Sequence, residues 1–318
     1  MGHLGVTTFF VLSGLIMVHQ SADLFGTKRG PFVFAYRRLI RIVPMYWIAA
    51  ILCLITSWWY PRVHIVKQTV LSLLFIPNVI HNVDRLEPLL GQVWTLNYEM
   101  AFYLLLAISL FLSRRKGILI LLIVPEIAAA IGKTYDFPLN RASSSLLHFY
   151  TDQLIVLFAR GVLIGAWESV SRSITRFKLP FSPAYFMLLP PVIMLASPSA
   201  VARFPPWELL SLYSILLVLG CTLVENGTPG RIFNFLVLLG DASYSTYLFH
   251  LFAYPIVMPR AISRLGSHHA TPVFIIVSVL VSVVVANLIG LLIHFTVERP
   301  ITRALRKLTP ATKKARQL

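Results

Sequence analysis

Residues 272–297 read PVFIIVSVLVSVVVANLIGLLIHFTV, without one Asp, Glu, Lys or Arg. A helix of about 20 such residues crosses a hydrocarbon core roughly 30 Å thick. Outward from this stretch, further apolar runs cover about 5–20, 39–59, 94–112, 117–132, 148–168, 184–200, 208–225 and 233–258. Residues 65–80 are apolar too, but Pro77 and Asn78 interrupt them. That predicts an outside or re-entrant helix there, not a crossing. Lipid admits only helices or closed barrels, and these runs are too long for barrel strands. The expectation is an all-α polytopic membrane protein of about nine transmembrane helices in one membrane domain. Composition agrees, with 57% of the 318 residues hydrophobic and 13% charged, against about 25% charge in an ordinary soluble domain. A soluble globular protein, a disordered chain and a coiled coil are excluded. Two cysteines, Cys53 and Cys221, give neither a disulfide framework nor a Cys-rich metal site. With no His-x-x-x-His either, no metal is expected, and no Walker loop or dinucleotide fingerprint is present.

The formal net charge is +16. In a soluble protein that would point to nucleic acid; here it reads as topology, with no nucleic-acid partner. One alternating set of gaps holds Lys28, Arg29, Arg37, Arg38, Arg41, Arg114, Arg115, Lys116 and the later basic groups down to the tail, 19 residues in all. The other set holds eight, from Arg62 and Lys67 to Arg260 and Arg264. Basic residues collect on the cytoplasmic side, which places the richer set and the C-terminus in the cytoplasm and the N-terminus outside. Residues 301–318 form a short basic tail beside anionic lipid. Apolar residues begin at Leu4 with no basic region before them, unlike a signal peptide. An outside N-terminus without a leader is awkward to insert, and one further span upstream would repair it.

Ionisable groups inside a span are expensive and each needs a reason. Glu99 lies in Trp94-Thr95-Leu96-Asn97-Tyr98-Glu99-Met100-Ala101-Phe102-Tyr103, about five residues inside its helix, with Thr95 and Tyr103 four residues either side on the same face. A carboxyl group so placed suits a general acid or base. The plainer alternative is an interfacial carboxylate reaching water, with Trp94 as a belt aromatic. Arg38 and Arg41 are spaced i, i+3, so a helix sets both guanidinium groups on one face, where they can hold phosphates bidentately. A basic cluster at a span end is also ordinary topology signalling. His250 closes Gly240-Asp241-Ala242-Ser243-Tyr244-Ser245-Thr246-Tyr247-Leu248-Phe249-His250, where Ser243, Tyr247 and His250 share one face; a packing histidine is the commoner case. Arg160 is mid-helix, with Asp152 about two turns earlier, so it must pair with another helix or line a wet cavity. Glu298 sits at a last helical turn, where an acid opposes the macrodipole, and a cationic partner is expected nearby. His19 and His294 lie near span ends and reach water; Glu126 and Asp241 read as end residues or a cap.

Taken together these motifs resemble the membrane acyltransferase 3 family. The resemblance rests on Gly5-Val6-Thr7-Thr8-Phe9-Phe10-Val11-Leu12-Ser13-Gly14, Arg37-Arg38-x-x-Arg41-Ile42-x-Pro44-x-Tyr46, Trp94-Thr95-Leu96-x-x-Glu99-x-x-Phe102-Tyr103, Gly240-x-x-Ser243-Tyr244-x-x-Tyr247-Leu248-x-His250 and Glu298-x-Pro300. They occur in the family's order across nearly the whole chain. The wording Phe75-Ile76-Pro77 and Trp94 to Glu99 is similar to the branch that acetylates exopolysaccharides such as succinoglycan. The resemblance implies about ten spans in a bacterial-type inner membrane, with acetyl-CoA as donor on the cytoplasmic side and no bound cofactor. It implies O-acetylation of a hydroxyl on a polysaccharide or lipid-linked saccharide. Arg38 and Arg41 become cofactor-binding candidates for the CoA phosphates, Glu99 and His250 catalytic candidates, and Trp94, Tyr244, Arg160 and Glu298 further site candidates. Two departures stand out. The family's essential histidine lies in its first span, whereas this chain starts at the second, and His3 is not a match. Thr7 stands where the family commonly has Asp.

Two alternatives remain at this level. One is an inactive truncated family member; the other is a transporter or flippase with Arg160 and Asp152 lining its pathway. No halves with corresponding broken helices are visible, which weighs against transport. The acceptor sugar and the oligomeric state are not written in the sequence.

Overall fold

A computed structural model describes residues 2–56, 65–77, 79–80, 85–86, 90–135, 142–174, 206–223, 230–252 and 272–307. In chain order the helices are α1 (Gly2–Gln20), α2 (Gly30–Thr56), α3 (Ile65–Leu73), α4 (Trp94–Ser109), α5 (Arg114–Thr134), α6 (Ala142–Tyr150), α7 (Val156–Ile174), α8 (Pro206–Leu223), α9 (Arg231–Asp241), α10 (243–252), α11 (Pro272–Ile293) and α12 (Arg299–Lys307). Among the described residues the architecture is helical apart from one minimal antiparallel ladder, in which Val79 faces Leu86 and Ile80 faces Arg85. Among the described residues, four helices are long and apolar enough to cross a membrane: Gly30–Thr56, Arg114–Thr134, Leu146–Trp167 and Val277–Lys307. Leu4–Gln20 and Trp207–Thr222 are apolar but shorter. The run at 184–200 lies outside the described residues, so the expected count of nine is not reached here.

At 65–80 the described helix is too short to cross a membrane. Helix α3 has nine residues, about 13 Å of helix against a 30 Å core. It stops earlier than Pro77. The Ile76 N–H donates to the Leu71 carbonyl and the Phe75 N–H to that of Ser72, each at 2.9 Å. This is a Schellman cap with Phe75 in the left-handed position at φ 58°, where glycine is usual. The buried Phe75 ring holds a backbone conformation that a β-carbon disfavours. Two other apolar runs are broken. The run at 233–258 turns at Ala242, between α9 and α10. The run at 148–168 passes through a 3-10 turn, Gln153–Ile155, capped by the Asp152 carboxylate accepting from the Leu154 N–H at 2.8 Å.

The chain forms two compact units: Met1–Ala35 with His64–Asn226, and Tyr36–Val63 with Gly227–Leu318. In the first, α1 lies chiefly against α7, with further contact to α8, and α5 packs on α7. Lipid is as apolar as leucine, so helices in it gain from close backbone approach and hydrogen bonds rather than from hiding apolar area. Glycines permit that approach here. A β-carbon at Gly14 would collide with the Phe158 carbonyl oxygen and one at Gly161 with that of Val11, while one at Gly165 would come within 3.2 Å of the Leu15 oxygen. Beside this seam Phe158 lies 4.7 Å from Phe10 and stacks at 4.6 Å on Phe102 of α4. Thr7 Oγ1 on α1 bonds Ser214 Oγ on α8 at 2.7 Å, with Thr8 Oγ1 3.1 Å from the same oxygen.

The second unit holds α2 from Tyr36 onward and α9 to α12. Much of α11 faces outward: Val279, Leu280, Val283, Val284 and Leu288 are all more than half exposed, as suits a lipid-facing surface. At its far end Gly290 is buried where a β-carbon would strike Thr246 of α10. A π-helical turn, His294–Glu298, then joins α11 to α12.

Candidate functional site

Helix α4 opens after a 3-10 turn, Gly91–Val93, and its first turns are enclosed on every side: Thr95, Leu96, Asn97, Tyr98 and Glu99 are all buried. Aromatic rings do much of the enclosing. Tyr98 stacks on Phe149 at 3.9 Å, meets Trp94 edge-on at 6.0 Å and has Phe10 at 5.8 Å. Glu99 is 6% exposed and its Oε1 accepts a hydrogen bond from the Tyr103 hydroxyl one turn on. The same-face arrangement expected from the spacing is present, with Thr95 also buried. A carboxylate enclosed this way and oriented by a phenol can accept or return a proton along a fixed direction.

The remaining candidates, Arg160 excepted, lie in the second unit. Arg38 is buried, Arg41 half-buried and Arg37 exposed, so the i, i+3 pair does share the more enclosed face of α2. Two tyrosines brace this segment. Tyr36 Oη donates to the Leu305 carbonyl of α12 at 3.0 Å, and Tyr244 Oη of α10 donates to the Ile42 carbonyl at 2.8 Å. Ile42 directly follows Arg41, so Tyr244 fixes the backbone beside that guanidinium. His250 is half-buried, with Nδ1 2.8 Å from the Tyr247 carbonyl oxygen. A carbonyl only accepts, so Nδ1 carries the hydrogen and the neutral ring presents Nε2 as its base.

Glu298 differs from expectation. It lies not at a helix terminus but inside the π-turn, with α12 continuing beyond it. Its Oε2 accepts from the Ser245 hydroxyl at 2.6 Å and lies 2.8 Å from His294 Nδ1. The π-turn rolls His294 inward, leaving its side chain only 13% exposed, so it does not simply reach water. The face expected through Ser243 is also displaced, since Ser243 is exposed and the buried serine is Ser245.

Arg160 pairs across helices, as expected, but with a residue read as a helix end. Glu126 sits within α5 and its Oε1 is 2.8 Å from the Arg160 guanidinium. Asp152 does not pair with Arg160; its carboxylate caps the 3-10 turn that precedes α7. Neither residue therefore needs a transport pathway to account for it. Asp241 does end α9. Sequence reasoning missed Asn97 and Ser245, although both lie inside quoted motifs, and it set His294 in water. It also missed the spacing Gly161-x-x-x-Gly165, a close-packing signal legible without a structure. Among the described residues no group of His, Cys, Asp and Glu could hold a metal.

These features define a helical membrane domain with a few polar side chains held inside it. The sequence model of the family described as "Acyltransferase domain" matches residues 1–287, and the chain belongs to this membrane-embedded acyltransferase family. It is 30% identical over 317 residues to the "Exopolysaccharide production protein ExoZ" of Rhizobium meliloti (strain 1021), covering 95% of this chain and 90% of that relative. No solved structure matches it.

Proposed function

We propose that the chain is an inner-membrane O-acyltransferase that moves an acetyl group from acetyl-CoA to a hydroxyl of an exopolysaccharide or its lipid-linked precursor. Membership of the acyltransferase family, with an exopolysaccharide-production relative aligned along nearly the whole chain, carries the reading. Overall, a sugar hydroxyl oxygen bonds the acetyl carbonyl carbon, the C–S bond of the thioester breaks, and the hydroxyl proton ends on the CoA thiol. Glu99, aimed by Tyr103, assists or orients the proton transfer. His250 Nε2 is the second proton acceptor, and Arg38 and Arg41 take the CoA phosphates on the cytoplasmic side, where the C-terminus also lies.

The test is the O-acetyl content of exopolysaccharide, by proton NMR, from a bacterial strain deleted for its own acetylating gene and carrying this chain. Acetyl groups should return when the chain is carried together with the family's first span and its histidine. The Glu99→Gln variant should lower them about a hundredfold, the scale of a lost general acid–base group. Membranes with that extended chain folded but no acetyl gain would overturn the reading, and unchanged acetylation in the variant would remove Glu99 from it.

A further inference from the structure

Beyond this activity, we propose that α12 is a docking surface for the headgroups of anionic phospholipids. At 100° per residue, Arg299, Arg303, Arg306 and Lys307 fall within an arc of about 100° on one face, and all four are exposed. The opposite side presents Ile301 and Leu305, both half-buried, and the Leu305 carbonyl is the one bonded by Tyr36. So α12 is fastened through its apolar side, and its cationic stripe points away from the unit it belongs to.

Nothing among the described residues neutralises that stripe. Among the described residues, none of the four cations has a carboxylate within ion-pair distance; Arg299 lies over the Phe295 ring, 5.7 Å from its centre. The one neighbouring acid, Glu298, is buried and turned toward Ser245 and His294. The π-turn thus separates a buried anion from an exposed cation at the next position.

The height of the stripe identifies its occupant. Val277–Lys307 is one continuous helix long and apolar enough to span, and its charge-free part ends at Val297. Nine residues more extend about 13 Å, through a headgroup layer roughly 5–8 Å deep on each side. Measured from Val297, Arg299 therefore stands about 3 Å up, inside that layer, and Arg303 about 9 Å up, at its outer edge, while Arg306 and Lys307 lie beyond it and reach back on long side chains. Guanidinium forks bind phosphate bidentately, and basic groups beside a span favour anionic over zwitterionic lipid.

The experiment uses the full chain in mild detergent, with native mass spectrometry of bound lipid from an equimolar mixture of phosphatidylglycerol and phosphatidylcholine. The unaltered protein should retain phosphatidylglycerol preferentially. Arg303→Gln with Arg306→Gln should cut that preference by about fivefold per base removed. Arg303→Lys with Arg306→Lys should keep most of it, which separates charge from folding. Equal retention of the two lipids, or a preference unchanged in the double glutamine variant, would overturn the proposal. So would an unchanged preference accompanied by weaker acetyl-CoA binding, which would assign the stripe to a soluble phosphate.

Discussion

The two units hold their helices together by different means. In the first, α1 and α7 meet backbone to backbone over Gly14, Gly161 and Gly165, and aromatic rings fill the space beside them. In the second, α11 leaves most of its length outward, and its end is tied by polar side chains, Ser245 and His294 on Glu298. A bilayer rewards close packing and hydrogen bonds but not apolar burial as such. The first unit relies mainly on packing and the second mainly on bonding, and the two should fail differently when altered.

The largest effect is expected at the glycine seam. Gly161→Leu must force α7 away from the Val11 carbonyl, and it should destabilise the protein by about 3 kcal/mol or more, seen as a fall in melting temperature of about 5 °C in detergent. Gly5→Ala is the control, because open space surrounds an added β-carbon there; a similar loss from that change would break the packing account. Next comes Glu298→Ala, which strands the Ser245 and His294 donors at about 1–3 kcal/mol. Glu298→Gln keeps an acceptor oxygen and should recover more than half of that loss. If alanine and glutamine melt alike, bonding is not what holds α10 to the π-turn. Tyr103→Phe should cost about 1 kcal/mol and, on the proposed function, lower acyl transfer further than stability explains. The smallest effect is Thr7→Val, about 0.6 kcal/mol by analogy with interhelical bonds in other membrane proteins, since Ser214 keeps its bond to the Leu210 carbonyl.

Hydropathy made the helical membrane character legible, and four-residue spacing made Glu99 and Tyr103 legible as partners. Both signals are local. The turn at Ala242 was marked only by Asp241, read as an end residue or cap, because the long apolar run of 233–258 averages over the polar stretch Asp241 to Thr246. Glu126 read as an end residue because its partner, Arg160, comes from another helix far along the chain. His294 was set in water by its distance from the span end, whereas the π-turn rotates it onto Glu298. Such a turn inserts a residue into the helical repeat and leaves no mark in composition. The arginine pair was legible as a shared face, but its bracing by Tyr36 and Tyr244 depends on carbonyls of other helices.

The α1–α7 seam also sets a schedule for biogenesis. Its glycines are separated by roughly 150 residues, and a ribosome adding about 5–20 residues per second needs about 8–30 s to bridge that gap. During that interval α1 resides in the bilayer, or beside the insertion machinery, without the neighbour it fits. Substitutions on the glycine face of α7 should therefore be felt first as clearance of newly made chains by membrane proteases, before any mature protein exists to assay.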